Sequence, residues 1–228
     1  MIYKIFLIIK GSPFLYKAFL FFRGRYQEGF FPDQSFDIHL AGYQRSGNTY
    51  AQRLLLSLVP DLKIASHVHS IATIKLAFRY KVPVICLIRD PQEAVSSSYI
   101  KNIDNGKNKF TAMAALYEYV SYYEFVLKNL DNIAICKFSE LRNDPKHFLN
   151  LVTLQLGISF KDDDILTAEN STIKSLRENR SEGKVLSEAS SNLPNSRKNS
   201  LKRNAIEHLK LDPLYSRAVE LFELLENT

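Results

Sequence analysis

Two stretches of this sequence carry side chains of the types and spacing that chemistry needs. The first is Gly42-Tyr43-Gln44-Arg45-Ser46-Gly47-Asn48-Thr49, which follows an apolar run and precedes a segment of helical periodicity. Glycine lets the backbone turn tightly and approach a ligand closely. The N–H groups that open a helix, at the positive end of its dipole, attract an anion. The spacing G-x-x-x-x-G-N-T is that of a phosphate loop in which Asn48 stands where a lysine is usual, and the cation sits inside the loop as Arg45. The plain alternative is a polar turn capping a helix. The second stretch is Ser66-His67-Val68-His69. A histidine titrating near about 6.5 is a competent base at neutral pH, and on an extended strand the two rings share one face. The alternatives are strand-end surface histidines or a fortuitous two-histidine metal site, and no third ligand of suitable spacing is present, so no metal is expected. No Asp or Glu lies between Asp61 and Asp90, which disfavours a carboxylate base here.

The elements that must position these residues alternate along the chain. DIHLAGY, from Asp37 to Tyr43, reads as a strand; Ala51, Leu54, Leu55 and Leu58 then mark a helix over 49–58. LKIAS is a second short strand, and residues 70–80 read as a helix. PVICLI is apolar throughout, as in a strand covered on both faces. Asp90-Pro91-Gln92-Glu93 opens the next helix as N-cap, first position and third position, a capping-box arrangement. A long helix near 109–130, the strand NIAICKF and helical segments near 145–156 follow. This alternation predicts a three-layer α/β, P-loop-like fold with a central parallel sheet flanked by helices. Residues 183–204, rich in Ser, Asn, Glu and Lys, predict a mobile loop before a last helix near 212–226. The domain spans 37–228, after a basic, apolar segment over 1–36.

A formal charge of +6 and a pI of about 9.2 favour an anionic partner without choosing among nucleotide, acidic glycan, nucleic acid or membrane. No nucleic-acid-binding module is recognisable. Cys86 and Cys136 each lie in an apolar run, which suggests buried thiols and a cytoplasmic, reducing location rather than a disulfide. Residues 1–26 hold Lys4, Lys10, Lys17, Arg23 and Arg25 before the first acid, Glu28. Between these bases IFLII and AFLFF predict two short helices, about 2–9 and 13–23, with Ser12 as N-cap and Pro13 at the first position. Neither reaches the roughly 20 apolar residues of a spanning helix. They either lie on an anionic membrane as an interfacial anchor, at the inner face of the membrane, or pack on the domain or on a partner subunit.

In its two motifs the chain resembles the sulfotransferases that use 3′-phosphoadenosine 5′-phosphosulfate (PAPS). Tyr43-Gln44-Arg45-Ser46-Gly47-Asn48-Thr49-Tyr50 is similar to their phosphosulfate loop, and Arg89-Asp90-Pro91 with Ser97 eight residues after the arginine is similar to their second signature. The resemblance covers roughly residues 37–160, with an extension to about 204. It implies that Arg45 neutralises the oxygen left as sulfate departs and that Ser46, Gly47, Asn48 and Thr49 cradle the 5′-phosphate. Tyr50 then stacks near adenine, and Arg89 with Ser97 binds the 3′-phosphate. Arg197-Lys198-Asn199 resembles the family's mobile Arg-Lys-Gly clamp, with Asn199 in place of glycine and Lys202 and Arg203 close by. Lys137-Phe138-Ser139-Glu140-Leu141 resembles a Tyr-Glu-Asp-Leu segment, with Phe138 lacking the family's hydroxyl. The family's catalytic histidine falls at His67, 22 residues before Arg89, with His69 as the alternative; the lysine two residues before it is Ala65 here.

The expected activity is therefore in-line transfer of a sulfuryl group from PAPS, with PAP as product, to a hydroxyl or amine of an unidentified glycan, lipid or small molecule. Tyr117, Tyr119, Tyr122 and Tyr123 are either lining for an acceptor pocket or core. The rival readings are a P-loop kinase or nucleotide hydrolase with Asp90 on magnesium, and a non-catalytic membrane-associated adaptor.

Overall fold

A computed structural model describes residues 2–26, 31–66, 68–104, 106, 111–181 and 196–228. His67 therefore lies outside the described residues. Four parallel strands form the sheet: β1 (Ile38–Gly42), β2 (Ile64–Ala65), β3 (Val84–Ile88) and β4 (Ala134–Lys137), in the order β2-β1-β3-β4. β1 pairs with β3 from His39 opposite Val84 to Gly42 opposite Leu87. Every residue of β1 and β3 is buried, which is why those runs lack polar alternation. His39 is the exception in type. Its ring lies between the Ala65 carbonyl at 2.9 Å and the Thr73 hydroxyl at 3.1 Å, and burial lowers its pKa to about 4, so it is neutral.

Side chains leave the sheet alternately to two cores. Ala41, Val84, Cys86 and Ile88 meet α4 (Ile71–Tyr80), α5 (Pro91–Asp104), α6 (Ala112–Leu127) and α11 (Pro213–Glu226). Ile38, Leu40, Ile85, Leu87 and Cys136 meet α3 (Asn48–Leu58), α8 (Lys146–Leu156) and α9 (Asp162–Ser181). Three layers result, as the alternation predicts. Cys86 and Cys136 are free thiols that belong to opposite faces of the sheet. Burial raises both, Cys136 to about 12.

α1 (Ile2–Gly11) and α2 (Pro13–Phe22) take nearly the predicted bounds, and the Ser12 hydroxyl accepts from the Leu15 N–H. The pair packs on the domain: α1 on α4 and α6, α2 on α4. Lys75 donates to the Gly11 carbonyl at 2.8 Å.

Two differences from the sequence reading stand out. The loop expected over 183–204 does not extend that far, because residues 196–204 begin α10 (Ser196–Lys210). Ala205 and Leu209 bury one narrow stripe of that helix, and most of its other residues are polar, so its periodicity is faint. Residues 182–195 lie outside the described residues. In addition, α9 and the short α7 (Phe138–Asn143) were not read from the sequence.

Candidate functional site

The phosphate-loop sequence leaves the carboxyl end of β1 and turns into α3, beside the ends of β3 and β4. Ligands of open parallel sheets bind at such an edge. Gly47 is the N-cap of α3 at φ 99°, and a Cβ there would stand 2.5 Å from Phe138 Cδ2. Only glycine fits both constraints. Arg45 also has a left-handed backbone, φ 74°. A non-glycine residue there costs on the order of 1–3 kcal/mol and needs surrounding support. Arg89 supplies it, with Nη1 donating to the Arg45 carbonyl at 2.8 Å.

The tyrosines of α6 hold this loop from below. The Gly42 N–H donates to Tyr122 Oη at 2.8 Å. Tyr123 Oη donates to the Leu87 carbonyl at 3.0 Å and lies 3.2 Å from the Ser46 hydroxyl. Tyr119 Oη donates to the Arg89 carbonyl at 2.8 Å, and Tyr43 Oη to the Ala115 carbonyl at 3.0 Å. Tyr119, Tyr122 and Tyr123 are thus buried braces, whereas Tyr117 is exposed. Burial raises the phenols of Tyr43, Tyr119, Tyr122 and Tyr123, keeping them neutral.

Two side chains of the loop point away from any ligand. Ser46 is fully buried with its hydroxyl toward Tyr123. Asn48 Nδ2 donates to the Leu40 carbonyl at 3.1 Å, so the residue in the lysine position braces β1 instead of reaching outward. Beside the Arg45 and Thr49 side chains, what the loop offers an anion is backbone: the N–H groups of Asn48, Thr49 and Tyr50 open α3, where the first turn leaves donors to be satisfied. Of these, the Tyr50 N–H is turned to the Gly47 carbonyl at 2.9 Å. The Tyr50 ring packs against the second core beside α9, and burial with the nearby Glu169 charge pushes its phenol up to about 12.

The two motifs meet. Arg45 Nε donates to Ser97 Oγ at 2.9 Å. Burial, and then the charge of Arg89, lower the Arg45 guanidinium from its ordinary value. Arg89 stacks on the Phe138 ring, 4.4 Å from its centroid. Its Nε donates to Glu93 Oε2 at 3.1 Å, and Nη2 reaches the same oxygen. The Glu93 carboxyl is held below its usual range by that hydrogen bond, with the charges of Lys202 and Arg142 also lowering it. Three cations, Arg89, Arg142 and Lys202, thus act on the Glu93 carboxylate, and Arg45 adjoins Arg89, a set of charges that suits a multiply charged anion. Asp90 caps α5 by accepting the Glu93 N–H at 2.9 Å. The return half of the expected capping box is replaced by the Glu93–Arg89 pair. Arg197 and Lys198 lie in the first turn of α10, which packs on α5, the helix carrying Ser97 and Glu93.

Because Glu93 occupies the Arg89 donors that a phosphate would use, it competes with an anion. An exposed ion pair is worth about 0–1 kcal/mol. Glu93→Gln is therefore expected to tighten binding of PAP by up to about fivefold. Isothermal titration of both proteins measures this, and weaker binding by the variant would assign Glu93 a direct role in holding the ligand.

A small pocket opens next to the loop, lined by Leu7, Lys10, Tyr43, His69, Glu118 and Tyr122 among others. His69 Nδ1 lies 2.8 Å from the Gly42 carbonyl. A carbonyl only accepts, so Nδ1 carries the proton and the lone pair of the neutral ring is on Nε2. Glu118 is 5% exposed, pairs with Lys10 at 3.3 Å and accepts from Gln44 at 3.5 Å. The sequence reading missed Glu118, since its partners come from α1 and from the loop. It also missed Phe138 as the plate beneath Arg89, because that contact joins residues far apart in the chain.

No protein-family model matches the chain, and no curated protein matches it. Among solved structures it is similar to the crystal structure of mouse sulfotransferase SULT7A1 complexed with PAP, at 16% identity, covering 88% of this chain and 92% of that one, with a TM-score of 0.49.

Proposed function

We propose that the chain is a sulfotransferase that moves a sulfuryl group from PAPS to a hydroxyl or amine. The supporting observation is the junction of the two anion-binding sequences, with Arg45 on Ser97 and Arg89 on the Arg45 carbonyl. PAPS, when bound, supplies an activated sulfuryl group whose transfer leaves negative charge on a phosphate oxygen. Arg45 is suited to hold that charge, because it is cationic, half-buried and next to the opening of α3. The Asn48 and Thr49 N–H groups and the Thr49 hydroxyl take the 5′-phosphate. Arg89 and Ser97 take the 3′-phosphate, with Arg197, Lys198 or Lys202 closing from α10. The acceptor lies in the pocket beside His69, whose Nε2 takes the acceptor proton. His67 is the base that the resemblance implies, and His69 is the one whose tautomer is set by a hydrogen bond.

A phosphoryl-transfer reading fits less well. Asn48 is turned back to β1, and Asp90 is engaged as the cap of α5. The test is thermal unfolding with PAP in the presence of EDTA, against ATP with magnesium. A ligand bound only by the folded state at about 100 times its Kd adds roughly 2.7 kcal/mol. PAP is expected to raise Tm with EDTA present, and labelled PAPS to transfer its label without added metal. Stabilisation by magnesium-ATP with none by PAP would overturn the proposal.

A further inference from the structure

The α1–α2 pair presents two unlike faces. Its inner face is fastened: Phe6 meets Phe19 edge to face at 5.7 Å, Tyr16 meets Phe31 at 6.0 Å, and Lys10 reaches Glu118. Its outer face is apolar and open. Ile5 is 53% exposed, Ile8 65%, Phe14 79%, Phe21 69% and Phe22 87%. Exposed hydrophobic residues scattered singly are ordinary, but so many large ones in two short helices form a patch that calls for a partner.

Charge selects the partner. Residues 1–26 contain five bases and no acid. Phe21-Phe22 at the end of α2 is followed at once by Arg23-Gly24-Arg25, which sets two rings beside two guanidiniums. Lys17 Nζ and the Arg23 guanidinium carbon lie over the Phe31 and Phe19 rings at 5.3 and 5.2 Å, so both charges stand beside the aromatic cluster of the pair. This pattern matches helices that bury rings at the headgroup boundary while their bases meet lipid phosphates. Geometry excludes a simple span. Each helix has 10 residues and the pair bends by 107°. One such helix is about 15 Å long, half of a hydrocarbon core of about 30 Å.

We propose that the outer face of the α1–α2 pair seats the protein on an anionic lipid surface, with Phe14, Phe21 and Phe22 inserted and Arg23 and Arg25 at the phosphates. This surface is separate from the anion site and holds whether or not that site transfers sulfate.

The test is flotation of the full chain with vesicles of phosphatidylcholine alone, or containing about a quarter phosphatidylglycerol. Binding is expected to the anionic vesicles, weakening with salt. Phe21→Ser with Phe22→Ser, and separately Arg23→Glu with Arg25→Glu, are expected to lower it by about tenfold or more. Both sets lie on exposed positions, so thermal unfolding should be unchanged, which shows that the variants fold. Failure to float with anionic vesicles would overturn the proposal, as would equal flotation with neutral vesicles or equal flotation of the variants. Light scattering that shows a dimer of this chain broken by Phe21→Ser with Phe22→Ser would overturn it too, giving the face to a second copy.

Discussion

Replacing Arg45 by alanine should lower sulfuryl transfer by roughly 10²–10³-fold, the usual cost of removing one donor from developing charge, while leaving the fold intact. The second half of that expectation follows from the electrostatics around Arg45. Arg45 is partly desolvated and repelled by Arg89, and both effects lower its guanidinium. Removing it sacrifices a hydrogen bond to Ser97 but relieves a like-charge contact. The support for the left-handed backbone comes from Arg89 on the carbonyl, which alanine keeps. Tm without ligand should therefore stay close to that of the parent protein, while the shift produced by PAP shrinks. Arg45→Lys should recover only part of the rate, because an ammonium keeps the charge and loses the fixed fork. Initial rates with labelled PAPS and unfolding scans decide the matter. An Arg45→Ala protein within about tenfold of parental turnover would mean that the charge forms elsewhere.

The second large effect belongs to the histidines. A positioned general base contributes roughly 10²–10⁴-fold, and His69→Ala should lose about that much. Its ring also ties Gly42 to the segment between β2 and α4, so alanine alone would confound chemistry with loop geometry. His69→Asn separates them, since an amide can donate to the Gly42 carbonyl yet cannot accept a proton at neutral pH. If the ring is the base, the asparagine variant stays slow. The parent rate should fall toward acid, because a base that already holds a proton cannot take the acceptor's, and the variants should lack that limb. A His67→Ala protein that lost the limb, beside a His69→Asn protein that kept it, would move the role to His67.

Much of the site was legible because local signals sufficed. Apolar runs marked β1 and β3, the glycine spacing marked the loop, and Asp90-Pro91 marked the start of α5. Tyr117, Tyr119, Tyr122 and Tyr123 were legible only as pocket lining or core, and that the hydroxyls of Tyr122 and Tyr123 brace the loop and β3 rests on contacts far apart in the chain. α9 was not legible because it buries only a thin stripe through Ile165, Ala168 and Thr172 while Leu166 stays exposed, so tertiary contact with α3 decides it. Glu118 was hidden for a different reason. A lone carboxylate among tyrosines and alanines carries no local pattern, and its cation lies 108 residues away.

That distant cation has a practical corollary. Starting the polypeptide at β1, an ordinary remedy for a greasy leader, would discard Lys10 and Leu7 together with the exposed phenylalanines. Glu118 would then lose its counter-ion, and one wall of the cavity beside His69 would be missing. The clipped form would be a molecule with an altered pocket, and an acceptor screen run on it would sample the wrong shape and the wrong charge.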